Sequence, residues 1–501
     1  MCKELWRILK INGKWSGILL AIVLLVALGL RLSHLGQRVV WFDEANSLRV
    51  AQATPAKIID AARDDVHSAL YYLILHIWQS VATGETGARM LSVLAAVAAV
   101  AAVYFLGSRL AGRDAGLLSA GLLGLSPLHV WYSQEIRMYS VQTLMICLSF
   151  LFLLKALREG RRIPWILYAL CTALTLYVQY TSIFAVLAQG VFVAIYYRKQ
   201  RKVLWRWLQS QCAVALLFTP CLPLLFWQTA RVTGRSWIQP LELHQVLGFF
   251  SLFSGAHLGD VRSRTLSVLV SIAALGTASV ILYRKHENRE TAWFLILWFS
   301  LPIILLLALS LRQNLFLPRT LVYTTPALAL LMGCALARAE KGIERLAGTL
   351  MVVILVSANL FALRNYYISD NPWVKSDLRE GADEVARDLR AGDVIVHSSQ
   401  FSYRPFQYYL GDRVVEGVVR QPEKLPHLFA VTGDGQLPQD GKNFRRIWLV
   451  LYPDFKNQDF HEKVRTWMDG HHHFVQALHS SSTLFIGLYE CQGAELAPVI
   501  E

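Results

Sequence analysis

Apolar residues fall into repeated blocks up to about residue 364, and the segment that follows has a mixed polar and apolar pattern. A bilayer span needs about 20 mostly apolar residues, so blocks of this length predict about eleven membrane-spanning helices. Their approximate bounds are 15–35, 89–107, 115–132, 138–155, 164–180, 182–197, 208–228, 264–283, 291–311, 320–337 and 347–363. Two more apolar stretches, 67–83 and 244–259, are compatible with either a span or an interfacial helix.

Basic residues are concentrated in one set of the connections between these blocks. The richest connections are those at 109–113, 155–162, 198–206, 284–289 and 338–345. Short loops rich in Lys and Arg stay in the cytoplasm, so these connections are expected there. The number of spans between these loops returns each of them to the cytoplasm only if 67–83 does not cross and lies at the outer interface. The sequence therefore predicts a multi-pass protein of the bacterial inner membrane, with a cytoplasmic N-terminus and an extracytoplasmic C-terminal segment.

Composition and charge narrow the class of protein. Hydrophobic residues make up 54% of the chain and charged residues 17%, with a mean hydropathy of +0.39, whereas soluble domains have about 25% charged residues. Lys and Arg outnumber Asp and Glu by 49 to 35. Because this excess lies in loops between apolar blocks, no nucleic-acid partner is expected. The first apolar block has no cleavage site after it and is expected to be a retained signal anchor.

The segment 364–501 has the pattern of a small α/β domain. Alternating strand and helix patterns occur at 377–390 (helix, with Ser376 as its cap), 393–397 (strand), 403–410 (helix), 446–452 (strand) and 474–490 (one or two strands). This alternation predicts a parallel or mixed sheet. The chain is thus expected to divide into a transmembrane module, residues 1–363 with the outer loop 36–88, and a periplasmic domain, residues 364–501.

Two acidic sites follow spans on the predicted outer side. Asp43 and Glu44 come shortly after the first span. They are either a solvated loop or helix cap, or a carboxylate pair at the membrane interface, where such groups usually have a function. Glu135 and Arg137 lie in the second outer loop. They either neutralise each other or belong to a site with Asp43.

Further polar candidates lie on the same side. His67 precedes the interfacial helix that contains Tyr71, and it is either a polar anchor or part of a site. Arg312 and Arg319 precede the tenth span. Arginines there either extend to the interface or bind a lipid phosphate.

Two more arginines, the histidine tract and the cysteines are weaker candidates for binding. Arg231 and Arg235 are basic residues of the same kind as Arg319. The tract His471–His473 is a poor chelate, because consecutive strand residues point to opposite faces. No cysteine pair has zinc-ribbon spacing. The sequence predicts no metal site and no cofactor.

Several motifs, taken in order, resemble a known family. They are Asp43-Glu44 after the first span, His67-Ser-Ala-Leu-Tyr-Tyr, Arg89-Met-Leu-Ser, and Ser133-Gln-Glu-Ile-Arg-Met-Tyr139. They resemble the GT-C glycosyltransferases of the protein-mannosyltransferase and lipid A aminoarabinose-transferase type, and among them the bacterial lipopolysaccharide-core galacturonosyltransferases. Pro318-Arg319-Thr-Leu-Val-Tyr and Trp373-Val-Lys-Ser-Asp-Leu-Arg379 are similar to later landmarks, and the resemblance covers roughly residues 10–420.

The chain departs from the family pattern at two places. Family members usually have His-Pro-Pro where this chain has His67-Ser68-Ala69, and often Arg-Tyr where it has Arg319-Thr320. The first departure affects the shape of the outer helix, and the second affects the contact with lipid or acceptor. Neither affects the carboxylates.

The resemblance implies a membrane enzyme that transfers a sugar from a polyprenyl-phosphate donor to a glycan, lipid or protein acceptor of the cell envelope. It implies Asp43 as the base, with Glu44 as its neighbour. It also implies Glu135 and Arg137 as the pair of the second loop, with Tyr139 beside them. His67, Tyr71, Arg312 and Arg319 are then expected near the substrate.

Two other classes of protein remain open. A transporter or flippase of a lipid-linked sugar would place ionisable residues in the middle of the membrane, often in repeated halves. A non-catalytic membrane scaffold would separate Asp43 from Glu135. In the transferase hypothesis, arginine stabilises the leaving phosphate and Asp43 deprotonates the acceptor in a single displacement.

Overall fold

The structure is a computed structural model. It describes residues 13–232, 238, 240–254, 261–340, 342–368, 377–390, 393–411, 415–419, 428–432, 446–452, 464–466, 468–470, 472–481, 484–491 and 498–499. The candidates Arg235, Ser376 and His471 lie outside the described residues. Arg231 is described only in its backbone.

Helices dominate the first three quarters of the chain. In chain order they are α1 (Gly13–Leu32), α2 (Phe42–Ala51), α3 (Pro55–Arg63), α4 (Ala69–Gln79), α5 (Gly84–Ala111), α6 (Arg113–Gly124), α7 (Pro127–Ser133), α8 (Tyr139–Glu159), α9 (Arg162–Val178), α10 (Ile183–Tyr196), α11 (Arg201–Phe218), α12 (Leu222–Val232), α13 (Leu243–Leu252), α14 (Val261–Arg284), α15 (Arg289–Ser310), α16 (Thr325–Arg338), α17 (Ile343–Ile368), α18 (Leu378–Asp388) and α19 (Gln400–Leu410). Short 3-10 segments lie at Tyr180–Ser182, Thr219–Cys221, His286–Asn288 and Pro318–Thr324.

The helix lengths agree with a multi-span membrane protein. Within the described residues, eight helical stretches are long and apolar enough to cross a membrane. They are Trp15–Leu32, Gly84–Ala111, Tyr139–Glu159, Arg201–Ala230, Arg264–Arg284, His286–Ser310, Pro318–Arg338 and Ile343–Ile368. Each predicted span contains a helix, although some of these helices are shorter than 18 residues. The ambiguous stretch 67–83 contains only the 11-residue helix α4, which is too short to cross alone.

Small residues allow several of these helices to pack at short distances. A Cβ atom on Gly107 of α5 would lie 2.8 Å from the Cα atom of Gly116 on α6. A Cβ atom on Gly333 of α16 would lie 2.8 Å from the backbone nitrogen of Ser119, also on α6. Close backbone approach of this kind is how membrane helices gain van der Waals contact, since lipid removes the hydrophobic driving force between them. These glycines therefore fix α6 between α5 and α16.

The chain divides into two compact units. The helical unit comprises Met1–Leu35 and Ala53–Ser369, and the C-terminal unit comprises Gly36–Gln52 and Asp370–Glu501. The division differs from the sequence prediction at one segment, because 36–52 was expected to belong to the transmembrane module. Its backbone and side chains instead contact residues of the C-terminal segment.

The C-terminal unit contains a mixed sheet. Its strands are β1 (Asp393–His397), β2 (Val415–Val419), β3 (Leu428–Thr432), β4 (Arg446–Leu451), β5 (His472–Ser480), β6 (Phe485–Cys491) and β7 (Pro498–Val499). Their order across the sheet is β5-β6-β4-β1-β3-β2-β7. Strands β1 and β4 pair in parallel, and the other pairs are antiparallel. The prediction of a small α/β domain is confirmed, and of the two predicted kinds of sheet, parallel or mixed, the sheet is mixed.

Alternation along the central strands places a core on each face of the sheet. Ile395 and Trp448 pack with Leu378 of α18 in one cluster, whereas Val394 and Ile447 belong to another. Successive strand residues point to opposite faces, so two apolar layers follow directly from this sequence pattern. On strand β5, at the edge of the sheet, His472 is buried and its neighbour His473 is exposed.

Candidate functional site

His67 is the centre of a polar cluster in the helical unit. Its ring Nε2 lies 2.7 Å from an Nη2 atom of Arg137, and its ring Nδ1 lies 3.3 Å from Oε1 of Gln179. The side-chain amide of Gln228, on α12, donates to the carbonyl oxygens of His67 (3.0 Å) and Ala62 (2.6 Å). Three segments that are distant in sequence therefore fix both the backbone and the ring of His67: the turn at Arg137, the end of α9 and helix α12.

The bonding pattern assigns the ring tautomer of His67. An arginine guanidinium can only donate hydrogen bonds, so Nε2 of His67 accepts from Arg137. The other nitrogen, Nδ1, then carries the proton and donates to the Gln179 carbonyl oxygen. His67 in this arrangement is a neutral imidazole that orients the guanidinium of Arg137.

Asp65 is the acidic member of the same cluster. One carboxylate oxygen accepts from the hydroxyl of Tyr72 at 2.6 Å, and the other accepts from the backbone N–H of Val66 at 2.6 Å. Burial alone would raise the pKa of this carboxyl. The positive charge of His67 when its ring is protonated, the charge of Arg137 and the two hydrogen bonds outweigh burial. The pKa of Asp65 is therefore lowered and the group is ionised at neutral pH.

A short turn between α7 and α8 holds Arg137 in place. The hydroxyl of Ser92 donates to the carbonyl oxygen of Arg137 at 3.3 Å. The amide of Gln134 donates to the carbonyl oxygens of Arg31 and Ser33, both at 2.9 Å, and its oxygen accepts from Tyr366 at 2.7 Å. The turn thus satisfies carbonyl groups at the end of α1, which a helix terminus leaves unpaired. Arg137 is 2% exposed, so its position is set before any ligand binds.

Glu135 faces a different partner. Its Oε1 atom accepts from the indole N–H of Trp131 at 2.8 Å, and the side chain is 5% exposed. A buried carboxylate that accepts a hydrogen bond from an indole retains a fixed orientation. Glu135 and Arg137 lie in the same turn, and both side chains are buried there.

The remaining candidates of the helical unit lie at varied positions. Tyr71 and Tyr139 are buried, each with its ring against another tyrosine. Arg319 lies in the 3-10 segment Pro318–Thr324, where the next residue, Thr320, accepts through its carbonyl from the Thr181 hydroxyl at 3.4 Å. Thr181 is two residues from Gln179, so this 3-10 segment adjoins the turn that supports His67. Arg312 is exposed beyond the end of α15.

Asp43 and Glu44 lie in the C-terminal unit, in the first turn of α2. The N-cap of this helix is Trp41, so the alternative in which Asp43 caps a helix is wrong. Glu44 is 1% exposed, whereas Asp43 is half-buried. Of the two carboxylates, Asp43 is therefore the one that retains surface for an acceptor.

Sequence reasoning missed three members of the His67 cluster. Asp65, Gln179 and Gln228 are polar residues next to or within apolar blocks. Asp65 had a usable signal, since it lies two residues before His67 on the same outer segment. The two glutamines had a weaker one: a polar residue inside a span usually faces another helix. In the described part of the chain, no group of three or more His, Cys, Asp and Glu residues is arranged to hold a metal ion.

Comparisons with known proteins give a family match over part of the chain and a fold over nearly all of it. Residues 66–227 match the family described as dolichyl-phosphate-mannose-protein mannosyltransferase. The crystal structure of ArnT from Cupriavidus metallidurans in the apo state is 11% identical, with a TM-score of 0.57 over 95% of this chain and 98% of that chain. The structure of ArnT bound to undecaprenyl phosphate is 12% identical, with a TM-score of 0.56 and the same coverage.

Another solved structure is less similar. The oligosaccharyltransferase of Archaeoglobus fulgidus, in its apo form, is 11% identical, with a TM-score of 0.48 over 76% of this chain and 59% of that chain. No curated protein sequence matches the chain.

The matched segment contains most of the cluster described above, namely His67, Tyr72, Arg137 and Gln179, with Gln228 one residue beyond its end. The ArnT-like fold extends over nearly the whole chain. The predicted resemblance is thereby confirmed at the level of the superfamily. Over residues 66–227 the chain is therefore similar to a mannosyltransferase family, and over nearly its whole length it has the fold of ArnT.

Proposed function

We propose that the chain transfers a sugar from a polyprenyl-phosphate donor to an acceptor of the bacterial cell envelope. One observation carries the proposal, namely that Arg137 is fixed by His67 in a cluster inside the family segment. The matched family is described as acting on dolichyl-phosphate mannose. ArnT, which has the same fold, has been solved with undecaprenyl phosphate bound. Both relatives therefore involve a polyprenyl phosphate.

The cluster suits a leaving phosphate. Phosphate leaves readily but needs its developing charge stabilised, and preorganised cationic donors provide this at little reorganisation cost. Arg137 is buried and oriented, whereas His67 and Asp65 retain some exposed surface. We propose that the phosphate binds at this exposed edge, with the charge of Arg137 behind it. Arg319, on the adjoining 3-10 segment, and Arg312 are the further cations proposed for donor binding.

Asp43 is the proposed base. The acceptor oxygen or nitrogen attacks the anomeric carbon, and its proton passes to the Asp43 carboxylate. The bond between the anomeric carbon and the phosphate oxygen breaks, and its electron pair stays on the polyprenyl phosphate. A single displacement of this kind inverts the anomeric centre. One general base typically contributes 10²–10⁴-fold. Glu44 and Glu135 are the other carboxylates that we assign to the reaction.

The distribution of basic residues supports one orientation of the chain across the membrane. The basic connections are proposed to be cytoplasmic, as is the N-terminus, and the C-terminal unit periplasmic. The acceptor would then be a periplasmic glycan, lipid or protein. Lipopolysaccharide is our first candidate among these acceptors. The ArnT-like fold extends over 95% of the chain, and the motifs resemble the bacterial subgroup that modifies lipopolysaccharide.

The experiment that tests this proposal follows the fate of a labelled sugar. Purified protein in proteoliposomes is incubated with a panel of polyprenyl-phosphate sugars and an envelope extract, which is then separated into protein, lipid and polysaccharide. We expect label in one fraction, dependent on one donor. No label in any fraction with any donor, from protein that remains folded, would refute the proposal.

A further inference from the structure

Residues 36–52 belong structurally to the end of the chain. They follow the first span directly, yet they form one compact unit with the C-terminal segment. Val40 and its hydrogen-bond partner Tyr409 are 369 residues apart in sequence. Because this segment contains Asp43, the contacts that fix it within the C-terminal unit bear on the chemistry proposed above.

Arg379 fixes the beginning of the segment. Its Nη2 donates to the carbonyl oxygen of Arg38 at 3.1 Å, and its Nη1 lies 3.5 Å from the carbonyl oxygen of Gly36. The guanidinium also lies over the ring of Tyr409, with 5.6 Å to the ring centroid. A guanidinium holds its donors in a rigid planar fork that spans two carbonyl oxygens, whereas an ammonium is a compact charge on a flexible stem.

Two residues of α19 fix the part of the segment that leads into α2. The backbone N–H of Val40 donates to the hydroxyl oxygen of Tyr409 at 2.8 Å, and Val40 is fully buried. Phe42 meets Phe401 edge to face, with ring centroids 5.5 Å apart. Val39 packs against the apolar cluster that α18, α19 and the sheet share. The contact at Phe42 adjoins Asp43 directly.

Helix α2 has little means of holding itself in place. It has 10 residues, and its N-cap, Trp41, makes no side-chain cap hydrogen bond. Isolated helices shorter than about 12–15 residues are marginal in water. The helix must therefore be stabilised by packing, and its buried residues, Glu44 and Leu48 among them, provide the surface for it.

We infer that Arg379 and Tyr409 are positioning residues for the Asp43 carboxylate, an inference that rests on the proposed function. The C-terminal unit is then part of the catalytic apparatus, because it fixes the segment that carries the base. A small misplacement of a reacting group costs up to about 10²-fold in rate. Loss of either contact should lower the rate of transfer and leave donor binding intact.

The test compares Arg379→Gln and Tyr409→Phe with matched controls in the full-length protein. We expect each variant to lose about 10- to 100-fold in kcat, with the KM for the polyprenyl-phosphate donor unchanged. Arg379→Lys should recover part of the loss, because one ammonium can still donate to one carbonyl. The controls are Arg387→Gln, an exposed arginine on the same helix, and Tyr452→Phe in the same apolar cluster. Both should keep full activity.

Amide hydrogen exchange provides a readout independent of activity. In Tyr409→Phe, peptides covering 36–52 should exchange about tenfold faster, because about 1.4 kcal/mol corresponds to a factor of ten. Peptides from β1 and β4 should exchange at the wild-type rate. Equal exchange in 36–52, or faster exchange throughout the C-terminal unit, would overturn the inference.

Asp43→Asn separates the two claims. If that variant is inactive while Arg379→Gln and Tyr409→Phe behave as the controls do, the positioning role is refuted and the base remains. If Asp43→Asn retains full activity, the proposed base is refuted. The positioning role in catalysis is then refuted with it.

Discussion

The two regions proposed to take part in the reaction are stabilised by different kinds of interaction. In the helical unit, His67 and Arg137 are fixed by side-chain hydrogen bonds from α5, α9 and α12 and their ends. In the C-terminal unit, Asp43 lies on a short helix that is fixed by a ring contact at Phe42 and by hydrogen bonds to the backbone of the segment before it. The first region is preorganised by a buried polar network, and the second depends on tertiary packing of one segment.

The two regions differ in burial as their proposed roles require. A cation that stabilises phosphate gains from burial and fixed geometry, because interactions weaken steeply in water. A base must meet an acceptor that arrives from outside, and Asp43 accordingly keeps more exposed surface than Arg137. Substitutions in the first region should therefore affect donor binding and stability together, whereas those in the second should affect the rate of transfer.

The largest effect is expected for the base. Asp43→Asn removes the proton acceptor and nearly preserves the shape, so transfer should fall by about 10²–10⁴-fold. Donor binding, measured by equilibrium binding of a labelled polyprenyl-phosphate sugar, should stay at the wild-type level. Loss of binding together with rate would assign Asp43 to the donor, and the comparison between the two regions would not hold.

Arg137→Gln should be next in size. The change removes the fixed charge and the donor to His67, so kcat/KM for the donor should fall by about 10²–10³-fold. Arg113→Gln, an exposed arginine on α6, is the matched control and should behave as the wild type. An Arg137→Gln protein with wild-type kcat/KM would exclude the cluster as the phosphate site.

Asp65→Asn tests the electrostatic balance of the cluster. The lowered pKa of Asp65 means that its stabilising contribution is complete above about pH 4 and is lost only as the pH falls through the lowered folded value. At pH 7 the variant should lose about 1–3 kcal/mol in free energy of unfolding, measured by thermal unfolding in detergent. Asp60→Asn, which breaks only an exposed ion pair, should change stability by less than about 1 kcal/mol. Equal stabilities of the two variants would contradict this role.

The C-terminal unit should have its own pH dependence. Burial lowers the pKa of His397 to about 3, from about 6.5 in an unfolded chain. The unfolded state thus binds more protons between these values, so stability falls as the pH drops from about 6.5 towards 3, by at most about 1.4 kcal/mol per pH unit. His397→Gln should flatten this dependence of stability on pH. The measurement is unfolding at a series of pH values, monitored by the fluorescence of Trp448 on β4. A slope unchanged by the substitution would contradict the assignment.

The smallest expected effect is that of Ser92→Ala. It removes one hydrogen bond to the Arg137 carbonyl, which is worth about 1 kcal/mol. The remaining bonds of the turn, from Gln134 and Tyr366, should preserve the position of Arg137. A loss of activity as large as that of Arg137→Gln would show that the turn is less well held than its bonds indicate.

Sequence predicted the architecture well where a local pattern is sufficient. Apolar length alone marks the spans, and the buried runs of β1 and β4 mark the central strands. Strands β2 and β3 were missed although they are as long as β1; β2 contains Gly417, which weakens a strand pattern. The pairing of His67 with Arg137, 70 residues away, depends on how helices pack. The same is true of segment 36–52, whose partners lie at the other end of the chain, so no local pattern could reveal them.

The fate of the donor shows whether the polyprenyl-phosphate sugar is consumed by transfer or moved across the membrane. Proteoliposomes are given a defined donor and the acceptor fraction, and free polyprenyl phosphate and transferred sugar are both quantified. We expect one polyprenyl phosphate to be released for each sugar transferred, and we expect Asp43→Asn to abolish both. Intact donor that appears in the opposite leaflet, with no polyprenyl phosphate released, would contradict this expectation and favour a flippase.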